Sequence, residues 1–347
     1  LLNIWNRFGF VLNNNDERLP PVEDDFQLIY LLVHKRHFYL KEVIDSLRRV
    51  RNIERTILLV SSDGIYPQVI ETIASIDFMR VKLVFYPFPV SMLLHDYPGD
   101  DGTDFHTRDV NFVSLKGHWW WISNRLFQQD YFQLYNDHTT FQSALYLEED
   151  HAVTPDYYDA VKSLRAAKSS LCPECSFITA ATYLSKHPSE QQLFQVGKGE
   201  FNNVGTVSFR HVWTQSIQPL ATRYFCEFDD YNWDMSLLAT LQKHNRTLLS
   251  SLTMVYPRID HIGHVCGLHG KKKGVASCVD LVDRQRLFSF VQPSVKLIME
   301  NPQSYQIEPD QRWTINKNFR PGTYAWKRSN FKGFGGWSDK RDHRYCK

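Results

Sequence analysis

The chain has 347 residues, is 43% hydrophobic and carries a formal net charge of +2, which excludes a disordered polypeptide and argues against a general binder of nucleic acid or other polyanions. Aromatic residues make up 14% and include 9 Trp, a surplus that suits core packing and, equally, the holding of sugars or flat ligands against rings. The cysteines form an even set, Cys172, Cys175, Cys226, Cys266, Cys278 and Cys346, and with the acceptor sequon Asn245-Arg246-Thr247 they point to an oxidising lumen, disulfides and glycosylation at Asn245. Zinc is the weaker alternative, because no second pair of that spacing follows Cys172-Pro-Glu-Cys175.

Residues 1–25 read as a lead-in, broken by Asn13 to Asn15 and by Pro20-Pro21. Gln27 to Val33 is a continuous apolar run of strand length, followed by Leu40, Val43, Ile44, Leu47 and Val50 at helical spacing and by a strand-like Thr56 to Val60. Such a β-α-β unit pairs its strands in parallel through a right-handed crossover. The alternation continues with a helix around 69–76, a strand over 81–86, a Gly- and Asp-rich loop over 98–104, a helix over roughly 118–134, and a strand, Ala144 to Leu147, that runs straight into Glu148-Glu149-Asp150. The class is α/β, with a Rossmann-like, mostly parallel central sheet flanked by helices.

Ligands of open parallel sheets bind beyond the carboxyl ends of the strands, where this sequence places Val33-His34-Lys35-Arg36, Ser61-Ser62-Asp63-Gly64 and Glu148-Glu149-Asp150. Neither G-x-G-x-x-G nor a Walker-type loop accompanies them. A nucleotide diphosphate bound here would need its charge met otherwise, most simply by a divalent metal. Asp150 is the candidate ligand; a solvated strand end is the competing reading. A second constellation, Asp260-His261-Ile-Gly-His264-Val-Cys266 with His269 behind it, offers imidazoles of the kind that join carboxylates around Mn²⁺ and related metals. The third is Phe228 to Asp234, FDDYNWD, where rings and carboxylates alternate as carbohydrate recognition requires. A carboxylate there could also take a proton from an attacking hydroxyl, and Asp234 equally reads as the start of a helix. Of the HWWW run, His118 to Trp121, at least one ring belongs in the core, because consecutive helical residues cannot share a face.

No apolar run approaches the roughly 20 residues of a membrane span. The chain begins at Leu1 rather than Met, which fits a piece whose targeting segment has been removed.

Taken in order, VHKR, SSDG, LEEDH…PDYY, CPEC, FDDYNWD, HIGHVCG and the terminal GGWSDKRDHRYC resemble the Golgi N-acetylglucosaminyltransferase II family, from about Phe26 to the end. The resemblance implies a GT-A glycosyltransferase fold in which 1–25 is a stem remnant and 26–347 a single catalytic domain, 26–150 forming the nucleotide-sugar half and 151–347 the acceptor half. It implies inverting transfer of GlcNAc from UDP-GlcNAc to the 2-hydroxyl of the α-1,6-arm mannose of N-glycans, in the Golgi lumen, by a type II membrane protein anchored through a segment absent here. By the same resemblance Asp150 and His261 bind the metal, Mn²⁺ or another divalent ion. Asp234 is the general base; Asp63 contacts uracil, and Arg36 the nucleotide. His34, Glu148 and Glu149 are further candidates around the nucleotide-sugar, and Trp233, Asn232 and Tyr231 candidates for the acceptor. The family pattern suggests the pairings Cys172–Cys175, Cys226–Cys346 and Cys266–Cys278, while two further family disulfides lack their cysteines here. Two other classes stay open on the residues alone: a metal-dependent lectin, which would need no nucleotide, and a glycoside hydrolase, which would use paired carboxylates without metal or UDP.

Overall fold

A computed structural model describes residues 10–12, 18–22, 27–90, 110–127, 141–181, 194–198, 202–227, 233–254 and 257–264. The seven-residue strand Gln27–Val33 (β2) alternates its side chains between two cores. Ile29, Leu31 and Val33 pack with one cluster and Leu28, Tyr30 and Leu32 with another. A strand buried on both faces must be apolar throughout, which is why this run shows no polar alternation.

Parallel to β2 lie Ile57–Ser62 (β3) on one side and Ser143–Glu148 (β5) on the other, and Arg80–Phe85 (β4) continues beyond β3. The block therefore runs β4-β3-β2-β5, and the order reverses between β2 and β5. Helices His37–Arg48 (α1) and Pro67–Ala74 (α2) make the crossovers from β2 to β3 and from β3 to β4. Outside the block the sheet is mixed. Phe10–Leu12 (β1) pairs antiparallel with β4, and Thr206–Phe209 (β9) pairs antiparallel with both β5 and Phe177–Thr179 (β7). Ser250–Met254 (β10) then runs parallel to β7 and antiparallel to Phe194–Lys198 (β8).

The cluster on one face of β2 takes in α1, α2 and Tyr157–Leu171 (α4). The opposite face takes in three helical elements. These are Val110–Arg125 (α3), a run from Arg210–Val212 through the π-type Trp213–Ile217 into Gln218–Tyr224 (α5), and Trp233–His244 (α6). A second, two-stranded ribbon pairs His151–Val153 (β6) antiparallel with Ile259–His261 (β11), placing His261 opposite His151.

Two expectations change. The lead-in over 1–25 is tied to the sheet: β1 adds an edge strand, and Arg80 donates to the Pro20 carbonyl at 2.6 Å. The helix expected over 118–134 starts at Val110 and closes by Arg125, its first turns having been masked in sequence by the loop-forming stretch before them. The central sheet is mostly parallel, as expected, with antiparallel strands added at β1 and beyond β5. Cys172 and Cys175 form the expected disulfide just after α4. Cys226 is also disulfide-bonded; Cys266, Cys278 and Cys346 lie outside the described residues, as do Tyr231 and Asn232.

Candidate active site at the sheet's switch point

Strand order reverses between β2 and β5, and ligands of open α/β sheets bind beyond the carboxyl ends of strands at such a point. His34 to Arg36 leave β2 there, and Glu148 to Asp150 leave β5. The two segments are locked together. Arg36 Nε donates to Glu149 Oε1 at 2.6 Å, Arg36 Nη1 lies 2.8 Å from Asp150 Oδ2, and the His34 backbone N–H donates to Glu149 Oε2 at 2.8 Å. Three acids can leave a buried strand because this guanidinium meets two of them.

Asp150 is 2% exposed. Its Oδ2 also faces His261 Nε2 at 3.4 Å, brought there by the β6–β11 pairing, and its carbonyl accepts the Ile262 N–H at 2.9 Å. Burial by itself would raise the Asp150 carboxyl, but Arg36 and His261 outweigh it and hold the group well below the usual carboxylate range. His261 moves the other way: burial would lower its pKa, yet its bond to Asp150 and the charges of Asp150 and Glu148 raise it. Asp150 Oδ1 is buried with no hydrogen-bond partner among the described residues.

Asp150, His151 and His261 each offer a ligand atom, all within 4.8 Å of one another. One carboxylate oxygen without a donor and two imidazoles make a donor set that fits a divalent first-row metal. His151, unforeseen from sequence, is the most committed of the three. Its Nδ1 accepts the Glu148 backbone N–H at 3.1 Å, and burial pulls its pKa down to about 3. The neutral ring so bound carries its proton on Nε2, which leaves Asp150 and His261 as the readier ligands. Gly263 closes the site from the ribbon side, since a Cβ there would sit 1.9 Å from Asp150 Oδ2.

Glu148 accepts the Tyr146 hydroxyl at 2.7 Å, and burial with the nearby Asp150 charge pushes its pKa up to about 7. Glu149 accepts from Arg36 on one oxygen and from the His34 N–H on the other, which ties the two loops together. Asp63 leaves β3 beside them, its N–H donating to the Val33 carbonyl at 2.8 Å. His34 Nε2 stands 3.9 Å from Asp63 Oδ2 and 3.1 Å from the Tyr66 hydroxyl.

Asp234 sits in the first turn of α6, half-buried, and its charge adds to the forces raising the Tyr146 hydroxyl pKa. It is therefore within electrostatic reach of the β5 end. The neighbouring Trp233 corrects an expectation: its ring is 1% exposed, stacked on Trp119 at 4.3 Å and set edge-on to Tyr146 at 4.9 Å. That ring anchors the start of α6 to β5 and offers no face to an acceptor sugar. Trp119 and Trp120 are core as well. Asn245 is exposed, its Oδ1 accepting the Thr247 hydroxyl at 2.6 Å.

The switch point thus carries carboxylates and imidazoles rather than a glycine-rich loop. The family model for N-acetylglucosaminyltransferase II (MGAT2) matches residues 3–107 and 103–346, and the chain belongs to that family. It is 27% identical to the human α-1,6-mannosyl-glycoprotein 2-β-N-acetylglucosaminyltransferase over 92% of this chain and 72% of that protein. Against the protein of the same name from Arabidopsis thaliana the identity is 29%, over 99% of this chain and 79% of that one. Similar solved structures include the galactosyltransferase LgtC with donor and acceptor sugar analogs, at 11% identity and a TM-score of 0.41 over 76% of this chain and 95% of that one. Another is S. aureus TarS 1-349 in complex with UDP, at 8% identity and a TM-score of 0.38 over 67% and 59%. Family membership makes the chain an N-acetylglucosaminyltransferase and sets aside the lectin and the hydrolase. No helix among the described residues is long and apolar enough to cross a membrane.

Proposed function

We propose that this chain transfers GlcNAc, with inversion, from UDP-GlcNAc to the 2-hydroxyl of the α-1,6-arm mannose of N-glycans on glycoproteins, forming a β-1,2 linkage within a GT-A fold. The setting is the Golgi lumen, the intact protein being anchored as a type II membrane protein. The observation that carries the reading is the Asp150 carboxylate at the switch point, bracketed by Arg36 and His261 with one oxygen left without a donor.

Asp150 and His261 would hold Mn²⁺ or another divalent ion, with His151 beside them. Bound there, the ion would neutralise the charge that grows on the diphosphate as the bond to the sugar breaks. Arg36, pinned by Glu149, presents a second positive charge to the same phosphates. Asp63 and His34 face the base and ribose, and Glu148 lies toward the donor sugar. Asp234, on the rigid first turn of α6, accepts the proton of the attacking mannose hydroxyl. A single displacement then inverts the anomeric centre without a protein nucleophile. Tyr231 and Asn232, next to Asp234 in sequence, are the acceptor candidates that remain. Cys226–Cys346 and Cys266–Cys278 complete the proposed disulfides, and Asn245 the proposed glycan site.

The test is product formation from UDP-GlcNAc and a GlcNAc-primed trimannosyl N-glycan, with Mn²⁺ and with EDTA, read by mass and linkage NMR. One GlcNAc added β-1,2 to the α-1,6-arm mannose, and lost on chelation, is the expected product. Transfer that persists undiminished in EDTA would overturn the metal role, and transfer to a different hydroxyl would overturn the acceptor assignment.

A further inference from the structure

Two side chains one turn apart on α3, Ser114 and His118, face the carboxyl end of β3. Ser114 Oγ donates to Asp63 Oδ2 at 2.6 Å, and Ser61 Oγ lies 2.6 Å from His118 Nε2, both pairs buried. His118 stacks on Tyr86 with centroids 4.9 Å apart, and the Tyr86 N–H donates to the Ser62 carbonyl at 2.9 Å. With its own N–H on the Val33 carbonyl, Asp63 is fixed by its backbone to β2 and by its carboxyl to α3.

The fixing is one-sided. Oδ2 has Ser114, with His34 at 3.9 Å, whereas Oδ1 is buried and has no hydrogen-bond partner among the described residues. The Val90 backbone N–H also bears on this carboxyl, and it acts with Ser114 and His34 against the rise that burial imposes. A buried acceptor left without a donor costs on the order of 1–3 kcal/mol, a cost that a ligand N–H would remove. Uracil presents such a donor at N3, and cytosine presents a lone pair at the same place.

We propose that Ser114 is a positioning residue for nucleobase selection: by occupying Asp63 Oδ2 it leaves Oδ1 as the acceptor for the uracil N3–H and as a repulsive partner for cytosine. The proposal rests on the reading of Asp63 as the base contact given above. It extends the donor site into α3, whose Ser114 acts on the base through Asp63.

Calorimetric titration of the whole chain with UDP and with CDP, both with Mn²⁺, provides the test, comparing wild type with Ser114→Ala, Ser114→Thr and Asp63→Asn. Ser114→Ala is expected to weaken UDP by roughly 10-fold, as loss of a hydrogen bond to a charged group implies. CDP should weaken less, so the UDP/CDP ratio narrows, KM for UDP-GlcNAc rises and kcat holds. Ser114→Thr, which keeps the hydroxyl, should restore the ratio. A merely structural role would lower the melting temperature and leave the ratio alone. Should Ser114→Ala fail to fold, Ser114→Cys, similar in size and a far weaker donor, carries the same expectation. An unchanged ratio in the Ser114 variants alongside a collapsed one in Asp63→Asn overturns the role of Ser114 alone; an unchanged ratio in both overturns the Asp63 contact and the proposal with it.

Discussion

Replacing Gly263 with alanine should disable the site without touching a charged residue. The added Cβ would stand 1.9 Å from Asp150 Oδ2, 2.7 Å from its Cγ and 3.0 Å from its Cβ, so rotation of the carboxylate alone cannot clear it. To regain the 3.4 Å of ordinary contact, the carboxylate must retreat by roughly 1.5 Å. Arg36 Nη1 now lies 2.8 Å and His261 Nε2 3.4 Å from that oxygen. A shift of this size breaks the charge-assisted bond, worth about 1.5–3 kcal/mol, and misplaces the proposed metal ligand by more than the ångström that costs about 100-fold in rate. Calorimetry with UDP and Mn²⁺ should show affinity falling by at least about 10-fold, and the transfer assay should show the larger loss. Gly263→Ala with wild-type metal-dependent affinity and turnover would refute the packing argument.

Three further outcomes are expected. Asp234→Asn keeps the shape of the α6 start but cannot take a proton, so transfer should collapse while UDP binding stays near wild type; near-normal turnover would remove the base assignment. Trp233→Ala empties a site packed between Trp119 and Tyr146 and should cost about 3–5 kcal/mol in denaturant unfolding. It should also lower kcat by loosening the platform of Asp234, and a surface-like effect under about 0.5 kcal/mol would contradict its burial. His118 takes up its proton near 6.5 when unfolded but near 3 in the fold. The unfolded chain therefore binds the extra proton between those values, and stability falls as pH drops through that window by up to about 1.4 kcal/mol per pH unit. His118→Gln should flatten that acid limb in urea unfolding followed against pH.

The first half of the chain was the more legible part. Val33, Ser62 and Glu148 end apolar runs whose local pattern is enough to mark parallel strands, and strand ends are where ligands gather. The side-chain bonds were not legible, because Arg36 meets Glu149 and Asp150 only when β2 and β5 become neighbours, a fact of sheet order rather than of spacing. His151 was passed over beside three acids, although its position one residue into a short strand was a usable signal. Trp233 was misjudged for the opposite reason: its aromatic and acidic surroundings suggested a sugar platform, while its place in the first turn of a core-facing helix decided for burial. Ser114 gave no signal at all, since a serine in a helix announces nothing until the strand end beneath it is known.

The antiparallel ribbon of β6 and β11 also sets a schedule. Synthesis delivers Arg36, Glu149 and Asp150 long before His261, and until β11 zips onto β6 the guanidinium is the counter-charge that the acids have. The imidazole arrives with the closing of the ribbon, so the Asp150–His261 contact marks completed folding rather than the first half of the chain. A chain stalled before that closure would leave open the edge of β6 that β11 covers, the kind of exposed strand that pairs with other chains.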